Sequence, residues 1–473
     1  MISIASKLKT IENKLRKDDN LSGQIDYNEQ MAWMLFLKSL DILEEKREKQ
    51  AMLSEIKFEP ILDEKYRWRS WMKSNMTAEE KFNFIKNELI PYLRRIDSTP
   101  ERELVASVFQ EIPTKFMKSA YTLAEVLDLI DELDWRTLED SQIITQFYEE
   151  SLLKMGSSGR QAGGEFYTPR PLIRLIIKII DPKIGETILD PFLGSAGFLV
   201  EVFQYLKEKK PTAKEYEKLQ SGVLQGQEKK PVPFLLGVMN CILHDLYGAK
   251  LRRGNTFAQN IRQIDPADRV EIVLTNPPFG GEEEKSILEN FPYPTTATQV
   301  LSVQYILRRL KPGGRCGMVI DEGFLFRTNE KAFFNTKKEL VEENNLFAVI
   351  SLPQGLFTAV GTGNKTDLLF FERGKPTKEV WYYELTGKFS KTRPLKDEYL
   401  EDCWQKFQKR AVSENSWIVS VEELRKRNYD LTAKNPNRKE ELTYKSPEEL
   451  VREIEEKEEK IIKMLEDIKN KLW

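Results

Sequence analysis

The chain has 473 residues, 40% hydrophobic and 31% charged, with a formal net charge of −2 at pH 7, enough length for two or three domains with a buried core. The near-neutral balance excludes DNA binding through the protein's overall field, so phosphate contacts would need a local basic patch or a partner. A lone histidine, His244, leaves no room for Ser-His, Cys-His or His-metal mechanisms, and Cys241, Cys316 and Cys403 lie too far apart for a metal or redox pair and read as reduced core residues.

From the N-terminus to about Gly156 the spacing of apolar residues predicts helices and no strand. Glu29 to Lys49 carries Trp33, Phe36, Leu37 and Leu40 at helical spacing; further helices are expected over Ala78 to Arg95 and over Thr122 to Leu133. Thr122 reads as an N-cap with Glu125 three residues on. Trp33, Trp68, Trp71 and Trp135 read as core, and the basic, aromatic-dotted stretch Lys65 to Lys73 as a solvated loop rather than a DNA contact. Residues 1–156 are thus expected to form an α-helical domain.

Gly156 to Gly164 is a flexible break, after which the pattern changes. A helix opens at Pro171 and runs to Ile180, and strands are expected at Thr187 to Leu189, Val223 to Gly226, Ile272 to Leu274, Gly317 to Ile320, Ala348 to Leu352 and Leu368 to Phe371. Strands separated by helical segments predict a doubly wound, mostly parallel α/β domain over 157–386. Lys311 to Arg315 reads as a helix stop and tight turn. Residues 387–473 form a C-terminal extension, without clear periodicity to Leu442 and then helical behind the cap Ser446-Pro447-Glu448-Glu449. Ile454, Ile461 and Ile468 recur every seven residues, which suits packing on another helix, of this chain or of a partner subunit. No apolar run reaches membrane-spanning length and no secretory signal opens the chain, which points to the cytoplasm and to no membrane partner.

Two stretches carry chemistry. Thr275-Asn276-Pro277-Pro278-Phe279-Gly280 ends the strand-like run Val270 to Leu274, at the edge of an α/β sheet where ligands bind. An amine conjugated to a π system is a poor nucleophile and needs acceptors for its N–H groups. The Asn276 oxygen and the Pro277 carbonyl offer two, Pro277 and Pro278 stiffen the turn, and Phe279 offers a stacking face for a flipped base. An ordinary Asn-Pro turn is the alternative, and an upstream cofactor site decides between them. The second stretch, Asp190 to Phe198, is a strand-to-helix loop in which Gly194, Ser195, Ala196 and Gly197 let the backbone approach a ligand at a helix N-terminus. By itself it would also suit NAD, but it has neither the Gly-x-Gly-x-x-Gly spacing nor a P-loop lysine. Glu228 ends the next strand, where a carboxylate can take both hydroxyls of a ribose; it follows Asp190 by about 38 residues, against about 20 in the dinucleotide motif. Asn255 is a candidate for the adenine amine of the cofactor, with Phe257 against the ring.

With these residues in order, the chain resembles the modification (DNA methyltransferase) subunit of type I restriction-modification systems. The resemblance rests on Gly164 to Arg170, Asp190 to Phe198, Gly226 to Glu228, Asn276 to Phe279 and Leu352 to Phe357. It implies a Rossmann-like methyltransferase that uses S-adenosylmethionine to methylate N6 of adenine in double-stranded DNA. Glu165, Phe166, Tyr167, Thr168, Pro169 and Arg170 would line the methionine end of the cofactor, with Thr168 placed for its carboxylate. Asp190, Ser195, Ala196 and Gly197 would lie beside it, with Glu228 on the ribose. Asn276, Pro277, Pro278 and Phe279 would hold the flipped adenine, with Phe357 a second stacking face. The family usually has Cys and Gly where this loop has Leu193 and Ala196, so a methyl at Ala196 is expected to narrow the pocket slightly. A separate specificity subunit would choose the target, two modification subunits would clamp the DNA per specificity subunit, and a restriction subunit is a further partner. The C-terminal helix from Ser446 would dock the specificity subunit. The rival readings are a methyltransferase acting on a protein glutamine amide, which poses the same lone-pair problem, and a cofactor-binding scaffold without transfer activity.

Overall fold

The computed structural model describes residues 4–55, 57–110, 112–133, 168–280, 283–357, 365–390, 393–432, 434–437, 451–452, 455, 457–459 and 461–462. The chain divides into two compact units, Met1–Lys434 and Asn435–Trp473. In the second unit, helical residues are described between 451 and 462, with Val451, Ile461 and Ile462 exposed; Ser446, Ile454 and Ile468 lie outside the described residues. Among the described residues, no helix is long and apolar enough to cross a membrane.

The N-terminal segment is helical: α1 (Ile4–Leu15), α2 (Gln24–Leu53), α3 (Trp68–Met72), α4 (Ala78–Phe84), α5 (Ile90–Leu93), α6 (Pro100–Phe109) and α7 (Ala120–Asp131). A π-helical turn, Ile85–Leu89, joins α4 to α5. Trp33, Trp68 and Trp71 are buried as core, while Trp135 lies outside the described residues. Two local expectations differ. The cap of α7 is Ser119, whose hydroxyl accepts from Thr122 N–H at 3.1 Å, so the helix starts before Thr122; Glu125 instead pairs with Lys14 at 2.9 Å. Lys65 to Lys73 is not a solvated loop. Trp68 and Trp71, three apart on α3, must both be buried, and this turns the neighbouring arginines onto the acidic face of α2. Arg69 Nε donates to Asp41 at 2.9 Å, and the buried Arg67 lies 3.7 Å from Glu44 and 3.0 Å from Glu64.

The rest of the first unit is built on a nine-stranded sheet in the order β3-β2-β1-β4-β5-β7-β6-β8-β9. Its strands are β1 (Ile188–Asp190), β2 (Leu224–Glu228), β3 (Lys250–Arg253), β4 (Val270–Thr275), β5 (Leu310–Asp321), β6 (Asn345–Ser351), β7 (Thr366–Glu372), β8 (Glu379–Glu384) and β9 (Ser416–Ser420). β7 runs antiparallel between β5 and β6, β9 antiparallel on β8, and the other pairings are parallel. The six strands expected from sequence are all present, five of them within a few residues; β5 begins at Leu310, seven residues before Gly317, so Lys311 to Arg315, expected as a helix stop and turn, lies within the strand where its pairing to β4 is irregular. β3, Lys-Leu-Arg-Arg, escaped notice because an edge strand carries charge instead of an apolar run. β9 corrects the expected boundary at 386: Trp417 and Val419 face a core, and β9 extends the sheet, so residues 387–434 belong with it.

Helices cover both faces. On one lie α8 (Arg170–Ile180), α9 (Gly197–Glu208), α10 (Ala213–Leu219) and α11 (Pro231–Leu243). α8 lies so close to β5 that a Cβ at Gly317 would stand 2.6 Å from Ile176 Cγ2. After the short α12 (Lys285–Leu288), α13 (Thr298–Arg309), α14 (Glu322–Phe326) and α15 (Lys331–Glu342) cover the other face. α16 (Glu401–Lys409) and α17 (Val421–Lys426) flank β9. Apolar α11 packs on α2 and α6 and so joins the helical segment to the sheet; nearby, the Arg47 guanidinium sits 3.9 Å over the Tyr247 ring.

Candidate functional site

The strand order reverses between β1 and β4: the chain moves outward from β1 through β2 and β3, then returns to β4 on the other side. In such sheets the crevice at the carboxyl ends of those two strands is where ligands bind. The two motifs singled out from sequence meet there. Asp190 ends β1 and Thr275 ends β4, and the Thr275 hydroxyl donates to Asp190 Oδ1 at 2.7 Å, joined by Phe192 N–H at 3.1 Å. Both side chains are buried. Burial pushes the Asp190 carboxyl up to about 7, against the pull of those two bonds.

The loop after β1 is held on three sides. Gly194 and Ala196 both take left-handed backbone angles, φ 51° and 61°, which folds the chain back before α9. Gly194 N–H donates to Glu228 Oε2 at 2.9 Å, and Lys230 N–H donates to Glu228 Oε1 at 2.8 Å, so the carboxylate ending β2 is oriented by backbone on both oxygens. Asn240 Nδ2 donates to the Ser195 carbonyl at 2.8 Å, and Arg170 Nη1 to the Gly197 carbonyl at 2.9 Å. The Ala196 methyl is fully buried on the side of α11, where a Cβ at Gly237 would stand 3.5 Å from it. A left-handed alanine costs about 1 kcal/mol relative to glycine, so the departure from the family's residue acts on the loop's conformation.

Asn276 is buried after β4, and its two amide atoms differ sharply. Nδ2 donates to Thr168 Oγ1 at 3.0 Å; Oδ1 is buried and, among the described residues, has no hydrogen-bond partner. A buried acceptor without a donor costs about 1–3 kcal/mol, a cost a site-forming residue recovers when a ligand supplies the donor. Phe279 and Phe357 meet edge to face, ring centroids 5.7 Å apart at 80°, so the two rings named from sequence stand at one place, one after β4 and one after β6. The Thr298 hydroxyl donates to the Pro278 carbonyl at 3.2 Å and anchors the proline turn to α13.

The structure thus brings together Thr168, Pro169, Arg170, Asp190, Ser195, Ala196, Gly197, Glu228 and the Asn276 to Phe279 turn with Phe357. Glu165, Phe166 and Tyr167 lie outside the described residues. Asn255 is committed locally: Oδ1 accepts from Phe257 N–H at 3.1 Å and Nδ2 donates to Glu283 at 2.9 Å, while Phe257 is buried between Phe192 and Phe291. Three residues that sequence did not single out brace the crevice: Thr256, whose hydroxyl donates to the Pro191 carbonyl, with Asn240 and Thr298. None belongs to a motif, and only long-range contact reveals them. The three thiols are buried, and burial pushes Cys241 up to about 12; it also lowers the His244 pKa. Among the described residues no group of His, Cys, Asp or Glu could hold a metal ion.

Sheet order, crevice and paired motifs define a doubly wound α/β protein with a ligand crevice at its switch point. Residues 139–444 match the N-6 DNA Methylase family and residues 4–130 the HsdM N-terminal domain. The chain is 34% identical to the type I restriction enzyme EcoEI methylase subunit of Escherichia coli, over 97% of this chain and 96% of that one. A solved chain from a study of assembly and conformational transition in a type I R-M system is 42% identical, with a TM-score of 0.72 over 99% of this chain and 98% of that one. Another, assigned as the modification subunit of a type I restriction enzyme from Vibrio vulnificus, is 34% identical with a TM-score of 0.82, covering 93% of this chain and 98% of the other. The chain belongs to the methylase subunits of type I restriction enzymes: it is an adenine-N6 DNA methyltransferase, the modification subunit of such a system.

Proposed function

We propose that this subunit takes its methyl group from S-adenosylmethionine and delivers it to an adenine flipped out of double-stranded DNA, with Asn276 as the residue that grips the reacting amine. The observation that carries the reading is Asn276 Oδ1, a buried acceptor with no donor among the described residues, aligned by Thr168 beside an aromatic pair.

The residues at the switch point fit the cofactor. The Gly194 to Gly197 backbone, folded back by two left-handed residues at the N-terminus of α9, suits the methionine part, and the Glu228 carboxylate at the end of β2 suits the ribose hydroxyls. Bound there, the cofactor would supply an activated sulfonium methyl for transfer to N6, with S-adenosylhomocysteine as the leaving group and the surplus amine proton passing to water. The protein's own contribution is orientation. Asn276 Oδ1 accepts an N6–H and thereby draws the lone pair out of the ring system toward the methyl. Pro277 and Pro278 keep the turn rigid, and Phe279 with Phe357 supports the base by stacking. No side chain has to become a nucleophile.

Target choice belongs to a separate specificity subunit, with two modification subunits per specificity subunit around the DNA and a restriction subunit as a further partner. The exposed Val451, Ile461 and Ile462 of the C-terminal unit support a docking role there.

The test uses DNA from a methylation-deficient host expressing this chain with and without its specificity subunit, digested to nucleosides and analysed by mass spectrometry. N6-methyladenine is expected only with both chains, and Asn276→Ala should lower transfer on the order of a hundredfold while cofactor affinity, measured by calorimetry, stays within a few-fold. If cofactor affinity fell with transfer, Asn276 would be holding the cofactor and the assignment would be wrong.

A further inference from the structure

The hydrogen bond between Asn276 and Thr168 does not by itself fix which way the amide points. A hydroxyl carries one donor and two acceptor sites. In the arrangement present, Thr168 Oγ1 accepts from Asn276 Nδ2 at 3.0 Å. With the amide turned over, the same hydroxyl would donate to Oδ1 at the same place. The two states are equal for Thr168 but opposite for a substrate. In the first the crevice meets an acceptor, which an exocyclic amine needs. In the second it meets an NH2 group, and two donors would face each other.

What selects between them is the destination of the threonine proton. If another group accepts that proton, Oγ1 can only accept from Asn276, and Oδ1 must face the crevice. Thr168 is buried just before α8, and among the described residues its side chain makes no hydrogen bond other than the one to Asn276. Among the described residues no group takes that role, and a ligand bound in the crevice beside Thr168 can supply the acceptor.

We propose that Thr168 is a positioning residue that couples cofactor occupancy to the orientation of the Asn276 amide. The carboxylate of a bound cofactor would accept a hydrogen bond from the Thr168 hydroxyl, leaving Oγ1 only to accept from Asn276 and so locking Oδ1 toward the target base. This rests on the cofactor reading above. Its consequence is that the subunit grips a flipped adenine tightly only when cofactor is present. By reciprocity, the flipped base tightens the cofactor by the same factor. A threonine or serine hydroxyl can perform the relay; a valine of equal shape cannot.

The experiment uses the complete methylase complex with its specificity subunit. The duplex keeps the adenine that the methylation pattern identifies and carries 2-aminopurine beside it, so that fluorescence reports extrusion of the target base while its N6 amine is retained. S-adenosylhomocysteine, which has the carboxylate and no methyl, is the probe. With the unaltered chain it should raise the affinity for the flipped base about tenfold, the scale of one hydrogen bond to a charged group. Thr168→Val, at S-adenosylhomocysteine concentrations shown by calorimetry to saturate it, should abolish that dependence, and Thr168→Ser should retain it. A valine variant that keeps the full dependence at saturation would overturn the proposal. Should the valine variant fail to fold, the unaltered complex still decides: the duplex must tighten S-adenosylhomocysteine by the same factor, and independent binding of the two would refute the coupling. Asn276→Ala separates the two levels. Loss of base capture with and without S-adenosylhomocysteine supports the gripping role, whereas wild-type transfer by that variant would bring down the role of Asn276 itself.

Discussion

Replacing Asp190 by asparagine should change how stability depends on pH. The carboxyl is buried where β1 and β4 meet, with the Thr275 hydroxyl and the Phe192 N–H both on Oδ1. Burial pushes it up to about 7, against 3.8 for the free side chain. A carboxyl whose pKa is raised on folding holds its proton more tightly in the folded state. Its contribution to stability therefore falls as pH rises from about 4 to about 7 and is level above that. The whole difference is about 4 kcal/mol, of which about 2–3 kcal/mol falls between about pH 5 and about pH 8. An asparagine oxygen can accept both hydrogen bonds and carries no charge. Asp190→Asn should therefore gain about 2–3 kcal/mol on the unaltered protein between those two pH values, whatever constant offset the substitution adds. Urea denaturation of both proteins at both pH values measures this. The double difference cancels the other titrating groups, including Asp367, which burial also pushes up to about 7. An offset that is the same at both pH values would mean that the carboxyl ionises as it does in water, and the electrostatic account of the crevice would fail.

Two further substitutions probe the fold around the site and the helical segment. Gly226→Ala would place a methyl 2.6 Å from Leu193 Cδ1 and 3.0 Å from Leu251 Cδ2, so Leu193 must give way against the packed crevice; a loss of about 1–3 kcal/mol in denaturation is expected, with weaker cofactor binding in calorimetry where the loop after β1 moves with it. Full stability and affinity would show that Leu193 yields without moving the loop. In α7, Ser119→Ala should cost about 1 kcal/mol and Thr122→Ala only a few tenths, because the cap hydroxyl belongs to Ser119. The reverse order in thermal melts would restore the helix start inferred from sequence.

Much of the site is legible in the amino-acid sequence because its residues do their work through local backbone and local chemistry. A glycine-rich strand-to-helix loop, a carboxylate at a strand end and a proline-stiffened Asn turn each carry their meaning within a few residues. So do the apolar runs of β4, β6 and β7 and of the second half of β5, since a strand buried on both faces is apolar throughout. Legibility fails where charge or distance intervenes. β3 is an edge strand of lysine, leucine and arginines, and β9 is recognised only by its pairing with β8. Arg67 and Arg69 look solvated because their carboxylates, Glu44 and Asp41, lie more than twenty residues earlier on α2.

The sequence by itself determined the family, the alternation of strands and helices, and the residue types available for chemistry: an amide oxygen, two prolines and two aromatic rings, with one histidine to exclude the usual nucleophilic schemes. Only the tertiary structure decided how those residues face one another. Strand order puts the end of β1 beside the end of β4, so that Asp190 meets Thr275 across 85 residues of chain. The approach of the segment before α8 gives Asn276 Nδ2 its partner in Thr168, 108 residues away, and leaves Oδ1 as the acceptor without one. Motifs are set by neighbours along the chain, whereas the partner of a hydrogen bond is whatever the fold brings to the other side of it.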